Sequence, residues 1–144
     1  MVQQVFVTYA PETADARRIA DEVKAAFEGG ETVVTAKPAS QSSILDIEPA
    51  DLVLFGVGRT DADIPPEYAE LVRVFAGCNL AGKAAAFFPL GASRASAALR
   101  RSLKPTEISI LEEEPAAEKT GRNELRGWAL VVKEFLKGVR DGRR

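Results

Sequence analysis

Residues 51–57, DLVLFGV, are apolar at every position after the aspartate. A run of this kind, without polar alternation, reads as a strand covered on both faces, which is the mark of a central strand in a parallel sheet. The chain on either side supports that reading. Before it, residues 2–9 are rich in β-branched and aromatic side chains and predict a first strand. Residues 13–28 then switch to helical spacing, with Ile19, Val23 and Phe27 four apart on one face, and Gly29 with Gly30 closes the helix. Residues 31–36 predict a second strand, and residues 37–49 a loop with one helical turn near 44–47.

After the central run comes a loop, residues 58–64, and then a helix opened by Pro65 and Pro66, where a missing N–H costs nothing. Its inward face would be Tyr68, Leu71, Val72 and Phe75. Residues 83–88 predict a fourth strand, 89–93 a loop, 94–103 a helix with Ala98, Leu99 and Leu103 inward, and 106–111 a fifth strand. A polar, acidic connection over 112–121 leads to a last helix at 123–139, whose stripe is Leu125, Trp128, Val132, Phe135, Leu136 and Val139. Strands alternating with helices are βαβ units. Right-handed crossovers make them an α/β protein with three α/β/α layers, a five-stranded parallel sheet in order 2-1-3-4-5, and a ligand crevice at the carboxyl ends of strands one and three. The expectation is a single domain over 1–140 with a frayed basic tail at 141–144.

Composition narrows the chemistry. The 144 residues are 46% hydrophobic and 28% charged, an ordinary globular balance. The lone cysteine, Cys78, excludes an internal disulfide framework, and with no histidine the chain has no Ser-His-Asp or Cys-His catalysis and no His-dependent metal site. A net charge of −2 lacks the basic footprint of nucleic-acid binding. The start MVQQVFVTYA has no signal-peptide pattern, and no run reaches the roughly 18 apolar residues of a membrane span. The expected setting is cytoplasmic, with neither a nucleic-acid nor a membrane partner and no metal.

Other doubly wound families need groups this chain lacks. A response-regulator receiver needs a phosphoacceptor aspartate ending strand three, which here ends in Phe55-Gly56-Val57, and a lysine ending strand five, which runs into Leu111-Glu112. A small phosphatase or arsenate reductase needs an arginine six residues after its cysteine, where this chain has Ala84.

The stretch VFVTYAPETADARRIADEVKAAF, residues 5–27, resembles the opening of flavodoxins: a strand ending in tyrosine, a phosphate loop and an Ile-Ala-containing helix. ADLVLFGVGRTDADIPPEYAELV is similar to that family's third strand, first flavin loop and Pro-started helix, and LAGKAAAFFPLGAS to the segment leading into its second flavin loop. The resemblance spans nearly the whole chain and implies the flavodoxin-like fold, an FMN cofactor and electron transfer. It places any ligand against Ala10, Pro11, Glu12, Thr13, Ala14 and Asp15 in the first loop, Gly58, Arg59 and Thr60 in the second, and Gly91, Ser93 and Arg94 in the third.

Those loops depart from the family pattern. Aligned on Tyr9, Pro11 and Glu12 take the first two hydroxyl positions of the phosphate loop, Thr13 keeps its hydroxyl, Ala14 replaces the glycine and Ala16 the last hydroxyl. Pro11 also lacks a backbone donor. Glu12 and Asp15 place negative charge where a dianion would sit. Two like charges 4 Å apart cost about 1 kcal/mol in water and about 4 kcal/mol near a protein surface. Alternatively the two acids favour the positive end of the helix dipole and fill the anion site themselves. Neither flavin loop carries an aromatic side chain. Arg59 and Arg94 would lie on neighbouring loops, either clamping a small anion or pairing with Asp61, Asp63 or Glu12. Cys78 reads as a boundary residue, Trp128 as core, and residues 112–114 (EEE) as a solvated turn or an acidic docking patch for a basic redox or regulatory partner. The expected function is a flavin-free or weakly FMN-binding interaction module without catalytic residues of its own, the alternative being an FMN electron carrier with an atypical site.

Overall fold

The computed structural model describes residues 3–60, 63–90, 95–115 and 122–142, with only the backbone at 122 and 123. Five strands, β1 (Gln3–Ala10), β2 (Thr32–Pro38), β3 (Leu52–Val57), β4 (Ala84–Pro89) and β5 (Ser109–Ile110), form one parallel sheet in the order β2-β1-β3-β4-β5. The helices are α1 (Ala14–Phe27), α2 (Ile44–Ile47), α3 (Ala69–Phe75), α4 (Ala97–Leu103) and α5 (Arg122–Arg140). The doubly wound order expected from the sequence is therefore the one observed.

β3 is buried at all six positions and splits its side chains between two cores. Leu52 and Leu54 point, with Val5, Val7, Ala84 and Phe88, toward α1 and α5. Val53, Phe55 and Val57 point, with Phe6, Ala85 and Phe87, toward α3 and α4. The period-2 geometry of a strand and the absence of polar residues in the run require just this arrangement. The α5 stripe read from the sequence is buried throughout, from Leu125 to Val139.

Gly56 interrupts the apolar run for a steric reason. An ideal Cβ there would stand 2.6 Å from the Phe88 ring and 3.0 Å from Tyr9 Cβ, so Phe88 occupies the space a side chain would take. From the opposite face the buried Tyr68 hydroxyl donates to the Gly56 carbonyl at 2.7 Å and lies 3.2 Å from the Thr8 carbonyl. Burial pushes this phenol well above the usual tyrosine range. Below it, the Thr8 and Ser42 hydroxyls are bonded at 2.9 Å, and Ser42 donates to the Pro38 carbonyl, tying the β2–α2 connection onto β1.

Two expected elements differ. The fifth strand, predicted over 106–111, is only Ser109–Ile110. Lys104–Thr106 instead forms a 3-10 turn stopped by Glu107 in the left-handed region at φ 64°, so the β-rich sequence is spent on the turn leaving α4. The helix predicted from Pro65 begins as a 3-10 turn, Pro66–Tyr68, before α3 continues it.

Two stability outcomes follow. Gly56→Ala forces the Phe88 ring from its place in a packed core, and urea unfolding should show a loss of about 1–3 kcal/mol. At α2, burial alone would raise the Asp46 carboxyl. The Lys37 ammonium at 2.9 Å and the Ser43 N–H outweigh it and hold Asp46 below its ordinary value. A carboxylate depressed in the folded state stabilises above its unfolded pKa, and that contribution is lost as pH falls through the folded pKa. Asp46→Asn should therefore cost about 1 kcal/mol at pH 7, and the difference from the parent protein should shrink toward pH 3.

Candidate functional site

The carboxyl ends of β1, β3 and β4 meet at one edge of the sheet, as the doubly wound order requires. The Gly58 N–H donates to the Ala10 carbonyl at 2.9 Å and the Leu90 N–H to the Val57 carbonyl at 3.2 Å, so the three chains leave the sheet in contact. Pro11 lies directly on Gly58: an ideal Cβ at Gly58 would stand 2.9 Å from Pro11 Cδ and 3.4 Å from Leu90 Cβ. The first expected ligand loop therefore leans on the second.

Thr13 is the residue that organises the helix entrance. It takes an extended conformation at the N-cap of α1, and its hydroxyl oxygen accepts the Ala16 N–H at 3.0 Å. This satisfies one of the donors that a helix N-terminus leaves open. The carboxylates do not turn back onto the loop amides, as self-capping would need. Glu12 accepts from the Arg17 guanidinium at 2.8 Å and Asp15 from Arg18 at 2.9 Å, both along the outside of α1. The hydrogen bond to Glu12, and after it the one to Tyr9, raises Arg17 above its ordinary value. The self-capping expectation thus gives way to a threonine cap, because an i,i+3 partner lies within easy reach of Asp15 and Arg17 bridges Glu12 to Tyr9. Both acids nonetheless remain beside the helix entrance.

The other expected residues divide. Arg59 is exposed and Thr60 half-buried at the edge. Gly91, Ser93 and Arg94, with Asp61, lie outside the described residues, so the Arg59–Arg94 clamp is not placed. The partner of Glu12 is Arg17, not a loop arginine. Tyr9 is 5% exposed and packs into the core beneath α1, so its ring presents no open face. Trp128 is buried edge-on against Phe27 and Phe88, and Cys78 is half-buried against the α3–α4 core.

The acidic run after β5 is not simply a solvated turn. Arg100 of α4, 14% exposed, donates to Glu114 at 2.6 Å, to Glu112 at 3.2 Å and to the Leu111 carbonyl at 3.1 Å. Its guanidinium sits 4.5 Å from the Phe87 ring centre, and the Ser96 hydroxyl donates to the same Glu114 oxygen at 2.6 Å. Sequence reasoning missed Arg17 and Arg100. The only available signal was an arginine near acids, which is common on any helix surface.

No family profile matches the chain, and no characterised protein matches it by sequence. Solved structures do match in shape. A short-chain flavodoxin associated with a non-canonical PDU bacterial microcompartment superposes with a TM-score of 0.77 at 17% identity, covering 94% of this chain and 99% of that one. The flavodoxin of Streptococcus pneumoniae TIGR4 gives 0.76 at 15% identity, and oxidised flavodoxin 2 of Bacillus cereus 0.76 at 16%, each covering 92% of this chain and 99% of its own. The fold is flavodoxin-like. At these identities the likeness is one of architecture.

The cap supplies a test. Thr13→Ala should destabilise by about 1 kcal/mol in urea unfolding, whereas Thr13→Ser should retain most of that stability.

Proposed function

We propose that the chain is a flavodoxin-fold interaction or binding module that binds FMN weakly or not at all. The observation that carries this reading is Pro11 resting on Gly58, which fills the interval between the first two ligand loops with a ring that has no N–H to offer. Three further features support it. The Thr13 oxygen already accepts an α1 amide, Glu12 and Asp15 sit beside the same helix entrance, and the ring of Tyr9 is packed away. The residues present do not fit a phosphate dianion held by hydroxyls and amides. The chain is not an enzyme on this reading. It has no histidine, and its buried phenol, Tyr68, is bonded to main-chain carbonyls. No helix among the described residues is long and apolar enough to cross a membrane. The partner is taken to be a protein or a small anion.

The second reading, an FMN electron carrier with an atypical site, is favoured by the three flavodoxin structures it superposes on and by the one hydroxyl kept at the α1 entrance. An FMN titration followed by flavin fluorescence decides between them. The proposed module should be colourless as purified and show no saturable quenching up to near-millimolar FMN. Saturation at micromolar FMN would establish the carrier instead. Where residual binding is measurable, Glu12→Gln and Asp15→Asn should each tighten it by about fivefold, the equivalent of removing about 1 kcal/mol of like-charge repulsion.

A further inference from the structure

α5 packs one side against α1 and the sheet, yet two large aliphatic side chains on its outer side stay in solvent: Leu130 is 69% exposed and Val131 38%. They border an open groove of about 480 Å³ whose other walls are Leu111, Phe135, Glu113 and Glu134. A second groove, of about 410 Å³, continues from it through the shared Glu113 and Val131 toward Trp128 and Glu124. The second groove is bordered by Gly127, where a Cβ would meet nothing within 4 Å. The first groove is mostly apolar and the second mostly polar, and among the described residues the charged side chains that line the two are carboxylates. On the far side of Leu130 and Glu134 the surface turns basic, with Lys133, Lys137 and Arg140.

Among the described residues only part of this acidic rim is held in ion pairs. Glu112 and Glu114, on either side of Glu113, are held by Arg100. The Glu113, Glu124 and Glu134 side chains have no ion-pair partner among the described residues. An apolar anchor entering the groove would leave water, and only cations beside it would offset the rim, whereas an acidic segment would be repelled. We propose that this groove docks a short segment of a protein partner in which an aliphatic or aromatic anchor is flanked by lysine or arginine. The inference rests on the reading of the chain as an interaction module and names the chemistry of its partner. The groove is small, so the contact is of the transient class.

Trp128, the only tryptophan of the chain, lines the groove and donates its indole N–H to the Glu113 carbonyl at 3.2 Å, so its emission reports occupancy. The experiment titrates the whole protein with an amidated peptide of sequence KLKKFLK and, separately, with ELEEFLE. The basic peptide should change Trp128 emission saturably, and the response should weaken as salt rises. Its affinity should fall about tenfold in the doubly substituted Glu124→Lys, Glu134→Lys protein and severalfold in Leu130→Ser. These are exposed positions, and circular dichroism confirms that the variants are folded. The acidic peptide should give no change. The proposal is overturned by the absence of a saturable response to KLKKFLK up to millimolar peptide, by an equal response to ELEEFLE, or by full affinity in the charge-reversed protein. It is also overturned by a concentration-dependent dimer in sedimentation that Leu130→Glu dissolves, since a second copy would then be the occupant. The two readings fail separately. Tight FMN binding with peptide still bound would end the flavin-free reading alone, and no peptide binding in a protein that ignores FMN would end the docking proposal alone.

Discussion

Both helical layers are keyed to the sheet at Gly56. On one face the Phe88 ring fills the place of its missing side chain and reaches Trp128 of α5, with ring centres 6.1 Å apart. On the other, Tyr68 delivers its hydroxyl to the Gly56 carbonyl and its ring to Phe55. The hydroxyl must find an acceptor because a buried unpaired phenol is costly, and the carbonyls of Gly56 and Thr8, on neighbouring strands, are within reach. This junction lies one residue before the end of β3, so the angle at which the chain leaves the sheet, and with it the position of Gly58 under Pro11, is set by core packing.

Most of the architecture was legible in the sequence because it depends on patterns that burial imposes over many residues. The unbroken apolar run of β3, the four-residue spacing of Ile19, Val23 and Phe27, and the α5 stripe each repeat one signal several times. β5 was overread because β-branched content cannot distinguish a strand from a turn that buries Thr106 and places Glu107 in the left-handed region. The Gly56 contact was not legible either, since a glycine in a strand is silent about which ring will fill its space.

The site was legible in outline only. Its location followed from strand order, and the loss of hydroxyls and the gain of two acids followed from the residues of the first loop. Where those acids point did not. Arg17 and Arg18 decide that, and their choice of Glu12 and Asp15 depends on the helix geometry below them. The same holds for the three glutamates after β5, of which the exposed Glu112 and the largely buried Glu114 side chain both pair with one arginine of α4 while Glu113 between them has no ion-pair partner among the described residues. A run of identical residues in sequence is thus divided by the chain's path into a fastening and an open rim.

The unequal lengths of β2 and β5 have a consequence for how copies of this chain misassemble. A sheet edge is a row of unpaired amides and carbonyls that can template a foreign strand. At β5 that row is two residues long, and beyond it the Leu111 carbonyl is already claimed by Arg100. At β2 it runs for seven residues, with Val33 48% exposed on the strand and only Lys37 and Pro38 at its far end to discourage pairing. Strand exchange during refolding or storage at high concentration would therefore begin at β2, and a charged residue at position 33 is the change that would close that edge.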